Sequence, residues 1–354
     1  MERARKEDPP LTHRTPLPQI TFGGCTDINN GDSALQDTWV LDLLARTWFN
    51  VSFNGTVPPA RFAHDAAVLP ESRSMLVFGG LVPHGKVQNR CSDGALAAIN
   101  ATYSSESWLL RPSTELGDRS WERVDKGGRQ PDGRAGHTLA TTSKGVLLFG
   151  GVAPNADGLF ARNESWLFSA ANETWLLVNA TPGHAPEARH SHSSVSMLMP
   201  SGPDKAAADD MVESVVVFGG TDNCQVPVVS GSHFYNDLWV FTVQTLSWYK
   251  VPPPNGTPPS PRYAHSSAVT GSNTLIVYGG AHSFGRGGRG WVVRRGGWRP
   301  GSLVATARWT GHGALLNVLF LIPLHSLPPH AQAPMAREPI CVISTSTTPP
   351  TTPG

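Results

Sequence analysis

The sequence predicts an all-β protein of repeated four-stranded antiparallel sheets, arranged as the blades of a β-propeller. Three observations predict it. Five apolar runs end in a Gly pair: "ITFGG", "LVFGG", "LLFGG", "VVFGG" and "IVYGG" close at Gly24, Gly80, Gly151, Gly220 and Gly280. Each of the first four pairs is followed by two Trp residues: Trp39 and Trp48, Trp108 and Trp121, Trp166 and Trp175, Trp239 and Trp248. Before the last four runs stands Arg-x-x-His: Arg61/His64, Arg134/His137, Arg189/His192 and Arg262/His265. Internal periodicity of this kind sets the architecture before any local propensity is weighed.

Each repeat holds four short β-type runs, labelled a to d. Strand a is the Arg-x-x-His segment. Strand b is the run of Val, Leu, Ile and Phe, the composition of a strand buried on both faces. It leaves through Gly23–Gly24, Gly79–Gly80, Gly150–Gly151, Gly219–Gly220 and Gly279–Gly280, pairs able to take backbone angles closed to other residues. Strand c carries an acidic-x-Trp sequence, as in "QDTWVLDL", "SESWLLRP", "NESWLFSA" and "NDLWVFTV". Strand d carries the second Trp, and the two indoles supply area for packing one sheet on the next. Small sheets with periodic aromatic and Gly markers describe a propeller.

These residues resemble the Kelch repeat, whose marks are the Gly pair, an aromatic residue after it and a second Trp further on. The resemblance covers about Pro18 to Gly280. It implies a scaffold that binds a protein partner and does no chemistry, with the Arg and His recurring because every blade has the same place for them. An enzyme needs one site, whereas repeat architecture predicts recurrence. It also implies a ring of six or seven blades. This sequence opens at strand b of one blade, carries three full blades and ends recognisably at strand b of a fifth, which makes 17 strands. The expectation is a partial propeller, a fragment of a longer protein.

Composition agrees with a turn-rich folded protein. The 354 residues include 36 Gly and 31 Pro, with 39% hydrophobic and only 16% charged residues. The ends differ from the body. Residues 1–17 form a charged leader without the apolar stretch of a signal peptide. From residue 285 onward the chain has Arg but no Lys, one acid (Glu338) and none of the repeat marks. Residues 18–284 are therefore expected to form the propeller, and 285–354 a disordered or artefactual Arg/Gly/Pro-rich tail without a nucleic-acid role. The most apolar window, "GALLNVLFLIPL", is too short to span a bilayer.

The b–c segments are long: Cys25 to Gln36, Leu81 to Glu106, Val152 to Asn163 and Thr221 to Tyr235. They share one face with the d–a loops, and binding residues concentrate on such loops, so this face is the expected contact surface. Seven Asn-x-Ser/Thr sequons occur. Asn163 and Asn172 fall on repeat positions, which leaves Asn54, Asn100, Asn255, Asn50 and Asn179 as expected glycan acceptors in or beside these loops. Five such sites suggest a secreted or lumenal protein, whose partner contact involves or avoids the glycans; a cytoplasmic protein is the alternative. Cys25 and Cys91 fall in neighbouring b–c loops, where a disulfide would join them, although spacing does not decide pairing. No metal-ligand spacing or cofactor loop is visible, so no cofactor is expected. The enzyme rival is a copper radical oxidase of galactose oxidase type, whose central domain is also Kelch-like. Its chemistry needs paired Tyr and His ligands, and this chain has five Tyr: Tyr103, Tyr235, Tyr249, Tyr263 and Tyr278.

Overall fold

A computed structural model describes residues 19–25, 34–84, 101–112, 119–179, 184–203, 210–223, 233–252 and 256–281. The first blade has three strands, β1 (Gln19–Cys25), β2 (Ala34–Asp42) and β3 (Thr47–Asn50). The second begins with β4 (Asp65–Val68) and β5 (Met75–Phe78), leaves for a small ribbon of β6 (Leu81–Pro83) and β7 (Ala101–Tyr103), and finishes with β8 (Ser107–Arg111) and β9 (Ser120–Val124). The third repeats this plan: β10 (Thr138–Thr142), β11 (Gly145–Phe149), a hairpin of β12 (Val152–Asn155) and β13 (Gly158–Ala161), then β14 (Ser165–Phe168) and β15 (Trp175–Val178). The fourth comprises β16 (Ser193–Pro200), β17 (Met211–Phe218), β18 (Leu238–Thr242) and β19 (Ser247–Lys250). A fifth contributes β20 (Tyr263–Val269) and β21 (Leu275–Ala281). Every pairing is antiparallel and the full sheets run in the order a-b-c-d.

The register is the same in each blade. The first Trp stands opposite the residue two before the Gly pair: Trp39 faces Thr21, Trp108 Val77, Trp166 Leu148 and Trp239 Val217. Neighbouring a strands touch, β4 with β10, β10 with β16 and β16 with β20, so strand a is innermost. Strands b and c of blades two and three are almost wholly buried, as their unbroken apolar sequences require.

The core lies between blades. Phe22 of blade one meets Met75, Val77, Trp108 and Trp121 of blade two. Leu76, Phe78 and Leu109 of blade two meet Val146, Leu148 and Trp166 of blade three. Leu147, Phe149 and Leu167 of blade three then meet Val215, Trp239 and Trp248 of blade four. Each blade thus turns its Trp face toward the blade before it. Trp108, Trp166 and Trp239 are 3–5% exposed, whereas Trp39, with no earlier blade among the described residues, is 38% exposed.

Two expectations are corrected. Arg-x-x-His is not itself strand a in blades two to four, where the strand begins only after the His. The residue before the His takes a positive φ (Ala63 54°, Gly136 63°, Ser191 53°) and turns the chain just ahead of the strand, outside the extended β region. The b–c segments are not plain loops either. Cys25 ends β1 opposite Ala34, and β6 with β7 and β12 with β13 add four strands to the seventeen expected. Asn100, Asn255, Cys91, the leader and the tail lie outside the described residues.

Candidate interaction face

In three of the four d–a corners, at Arg61, Arg134 and Arg189, the Arg is a buried cation tied into its own blade. In blade three, Arg134 Nε donates to the Asp132 carbonyl at 3.0 Å, Nη1 to the Gly150 carbonyl at 3.1 Å and Nη2 to the Glu164 carboxylate at 2.7 Å. Arg61 repeats this with Pro59, Gly79 and Glu106, and Arg189 with Glu187, Gly219 and Asp237. All three guanidinium groups are fully buried, and their acids come from the acidic-x-Trp position. A buried cation must be paired and hydrogen-bonded to be tolerated. Arg189 also lies 4.1 Å from the Tyr235 ring centre, a cation–π contact.

The His reaches the other way, into the preceding blade. His64 Nε2–H donates to the Phe22 carbonyl at 3.0 Å, while the Nε2 atoms of His192 and His265 hydrogen-bond Thr138 and Ser193 hydroxyls at 2.9 and 2.8 Å. In blades one to three the Phe before the Gly pair lies between two rings of the next blade: Phe78 is 5.5 Å from His137 and 5.0 Å from Trp175, and Phe149 is 5.3 Å from His192 and 4.9 Å from Trp248. Burial, reinforced by the neighbouring Arg, pushes His64 down to about 4 and His137 to about 3, with His265 also at about 4. These imidazoles are neutral near pH 7.

The Gly pair makes both approaches feasible. A Cβ on Gly150 would sit 2.5 Å from the Arg189 carbonyl of the next blade, and one on Gly151 would sit 2.9 Å from the His137 Cβ of its own. The second Gly N–H then donates to the next blade's Arg carbonyl, in Gly24–Arg61, Gly80–Arg134, Gly151–Arg189 and Gly220–Arg262. These residues form the frame of the face.

On this frame the b–c segments stand up as β-ribbons. Bridges join Phe62 to Leu81 and Ala135 to Val152, fastening each ribbon to its own d–a corner. Phe62, Leu81, Ala135 and Val152 make a small core beneath Tyr103, Leu159 and Ala161. Above it the hairpin β12–β13 projects Pro154, Asn155 and a 41% exposed Phe160. Its turn is set by Asn155, whose side-chain oxygen accepts the Asp157 N–H at 2.8 Å. That ribbon was legible in "VAPNADGLFA", a turn between two short apolar runs.

In blade four the same positions turn polar. His190 replaces the apolar residue and bridges the Ser191 hydroxyl and the Asn223 carbonyl at 3.0 and 2.8 Å. His233 Nδ1 lies 2.9 Å from Asp222 and stacks over Tyr235. The base of the ribbons is therefore apolar in blades two and three and polar in blade four. Equal repeat positions gave no warning of this difference.

Asn50, Asn54 and Asn179 are all exposed, Asn50 included, because the outward side of β3 is uncovered. The five Tyr lie on or beside separate strands, and no three His, Cys, Asp or Glu side chains among the described residues gather as metal ligands would.

Residues 19–280 match the KLHDC2/KLHL20/DRC7 Kelch-repeats domain. Among curated proteins, the chain is 25% identical over 273 residues to human host cell factor 1, 26% over 269 residues to human host cell factor 2, and 24% over 271 residues to Drosophila melanogaster host cell factor. Each match covers 74% of this chain but only 11%, 29% and 15% of those proteins.

Proposed function

Because the chain belongs to the KLHDC2/KLHL20/DRC7 Kelch-repeats domain family, we propose that it is a non-catalytic scaffold binding a protein partner through the b–c and d–a segments of one propeller face. The observation that carries this reading is the pair of raised ribbons, β6–β7 and β12–β13, with Phe160 exposed at the rim. Rigid aromatic groups on a fixed framework, next to polar residues, are the usual anchors of protein interfaces. The opposite end of the sheets carries the a–b and c–d turns, among them the c–d turn at Leu44, which is 72% exposed. Proximity labelling with the full chain tests the assignment. Phe160→Asp is expected to remove a set of labelled proteins that wild type and Leu44→Asp both retain, with melting unchanged. Loss with Leu44→Asp instead would overturn it.

The exposure of Asn54 and Asn179 supports a further part of the reading, that the protein enters the secretory pathway and carries N-glycans. Glycosidase treatment of protein from its own cells should increase its mobility on a gel. An unchanged band together with cytosolic fractionation would contradict this.

A further inference from the structure

Three of the four corner His residues hydrogen-bond across a blade joint, and one does not. His64 Nε2–H reaches the Phe22 carbonyl, while His192 and His265 meet the hydroxyls of Thr138 and Ser193 at 2.9 and 2.8 Å. Thr138 and Ser193 hold the same repeat position, the first residue of strand a, directly after the His of their own blade. In blade two that position is Asp65. His137 of the next blade is buried, yet neither of its ring nitrogens has a hydrogen-bond partner among the described residues. Asp65 turns its carboxylate elsewhere: Oδ2 accepts the Leu139 N–H across the joint at 2.7 Å, and Oδ1 accepts the Ala66 N–H beside it at 2.8 Å.

We propose that Asp65 and His137 form a proton-operated catch between blades two and three. As a carboxylate, Asp65 holds the Leu139 N–H; on taking one proton from solvent, it turns its O–H to His137 Nε2, the place that hydroxyls fill in the next two joints. A carboxylate only accepts hydrogen bonds, whereas a carboxylic acid also donates one, as a hydroxyl does. A buried imidazole without a partner carries a standing cost, which this bond removes.

The surroundings send the proton to the carboxyl and not to the ring. Burial, only partly offset by the two N–H bonds, holds Asp65 up at about 6. Burial, with Arg134 and His64 nearby, holds His137 down at about 3, so it stays a neutral acceptor in mild acid. The other charged or titratable groups at these corners are Arg61 paired with Glu106, Glu164 paired with Arg134, and His192 of blade four. Strands β5 and β10, packed on β4, carry no ionisable side chain. A raised carboxyl pKa makes Asp65 a cost at pH 7 that fades as the pH falls through about 6. Asp65 follows Phe62 by three residues and His137 follows Ala135 by two, so the catch adjoins the bases of both raised ribbons.

Nitrogen NMR of the His rings in the full chain reads the catch directly, with the His137 signals assigned by their loss in His137→Gln. In wild type, the His137 Nε2 resonance is expected to move upfield between pH 7 and pH 5, as a neutral ring nitrogen does when it accepts a hydrogen bond. Asp65→Thr supplies a hydroxyl at every pH, so the upfield position is expected at both. Asp65→Ala supplies no donor and should show it at neither. Asp65→Thr should also raise the urea midpoint at pH 7 and lose most of that gain at pH 5. A melting curve checks that each variant folds. A His137 Nε2 resonance that stays still in wild type, the same movement in Asp65→Ala, or an unraised midpoint at pH 7 with Asp65→Thr would each overturn the proposal.

Discussion

A fully buried guanidinium survives at Arg134 because a carboxylate and two backbone carbonyls meet its planar fork. Replacing it with Leu strands Glu164 and the Gly150 carbonyl, so Arg134→Leu is expected to cost about 3 kcal/mol in urea unfolding. Arg134→Lys should recover little, because an ammonium cannot reproduce the fork. Gly150→Ala tests the other half of the corner. It combines φ of +67° with a Cβ 2.5 Å from a carbonyl oxygen, and a loss of at least about 2 kcal/mol is expected. The recurrence of Arg, His and Gly was legible from spacing alone. Their directions were not. Spacing cannot tell that Arg134 binds its own blade while His137 packs on Phe78 of the blade before, because both contacts cross long stretches of chain.

Among elements, identical repeat positions have unequal worth. Trp166 is closed between blades two and three, while Trp39 of β2 is 38% exposed. Trp166→Ala should therefore cost about 3–5 kcal/mol, and Trp39→Ala about 1 kcal/mol or less; comparable losses would mean that the blade order described above is wrong. The seventeen propeller strands were readable because buried b strands, Trp-bearing c and d strands and Gly exits differ in composition. Strands β6 and β7 were not readable. They are three residues long, one ends in Pro, and a long connection separates them. Their pairing depends on the d–a corner beneath them, a tertiary support that no local pattern reports.

The molecule as a whole should be acid-sensitive. His64, His137 and His265 have folded pKa values of about 4, 3 and 4, against 6.5 when unfolded. The unfolded chain then binds more protons between these limits, so stability is full above about pH 6.5 and falls as the pH drops toward 4. Asp65, raised to about 6 by burial, works in the opposite sense over the lower part of that window, but it is one group against three. Between pH 7 and 5 the loss should be on the order of 2 kcal/mol per buried His, seen as a falling urea midpoint. His137→Asn should flatten that slope while lowering stability at pH 7. The Gly-to-Arg latches carry a different implication, about synthesis. All four point the same way along the chain, and each Gly waits for a carbonyl from the next blade, at Arg61, Arg134, Arg189 or Arg262. A blade leaving the ribosome therefore cannot lock until the corner of its successor has emerged. Assembly trails translation by one blade, and on stalled nascent chains the third blade should gain protease resistance only after Arg189 and His192 have cleared the exit tunnel.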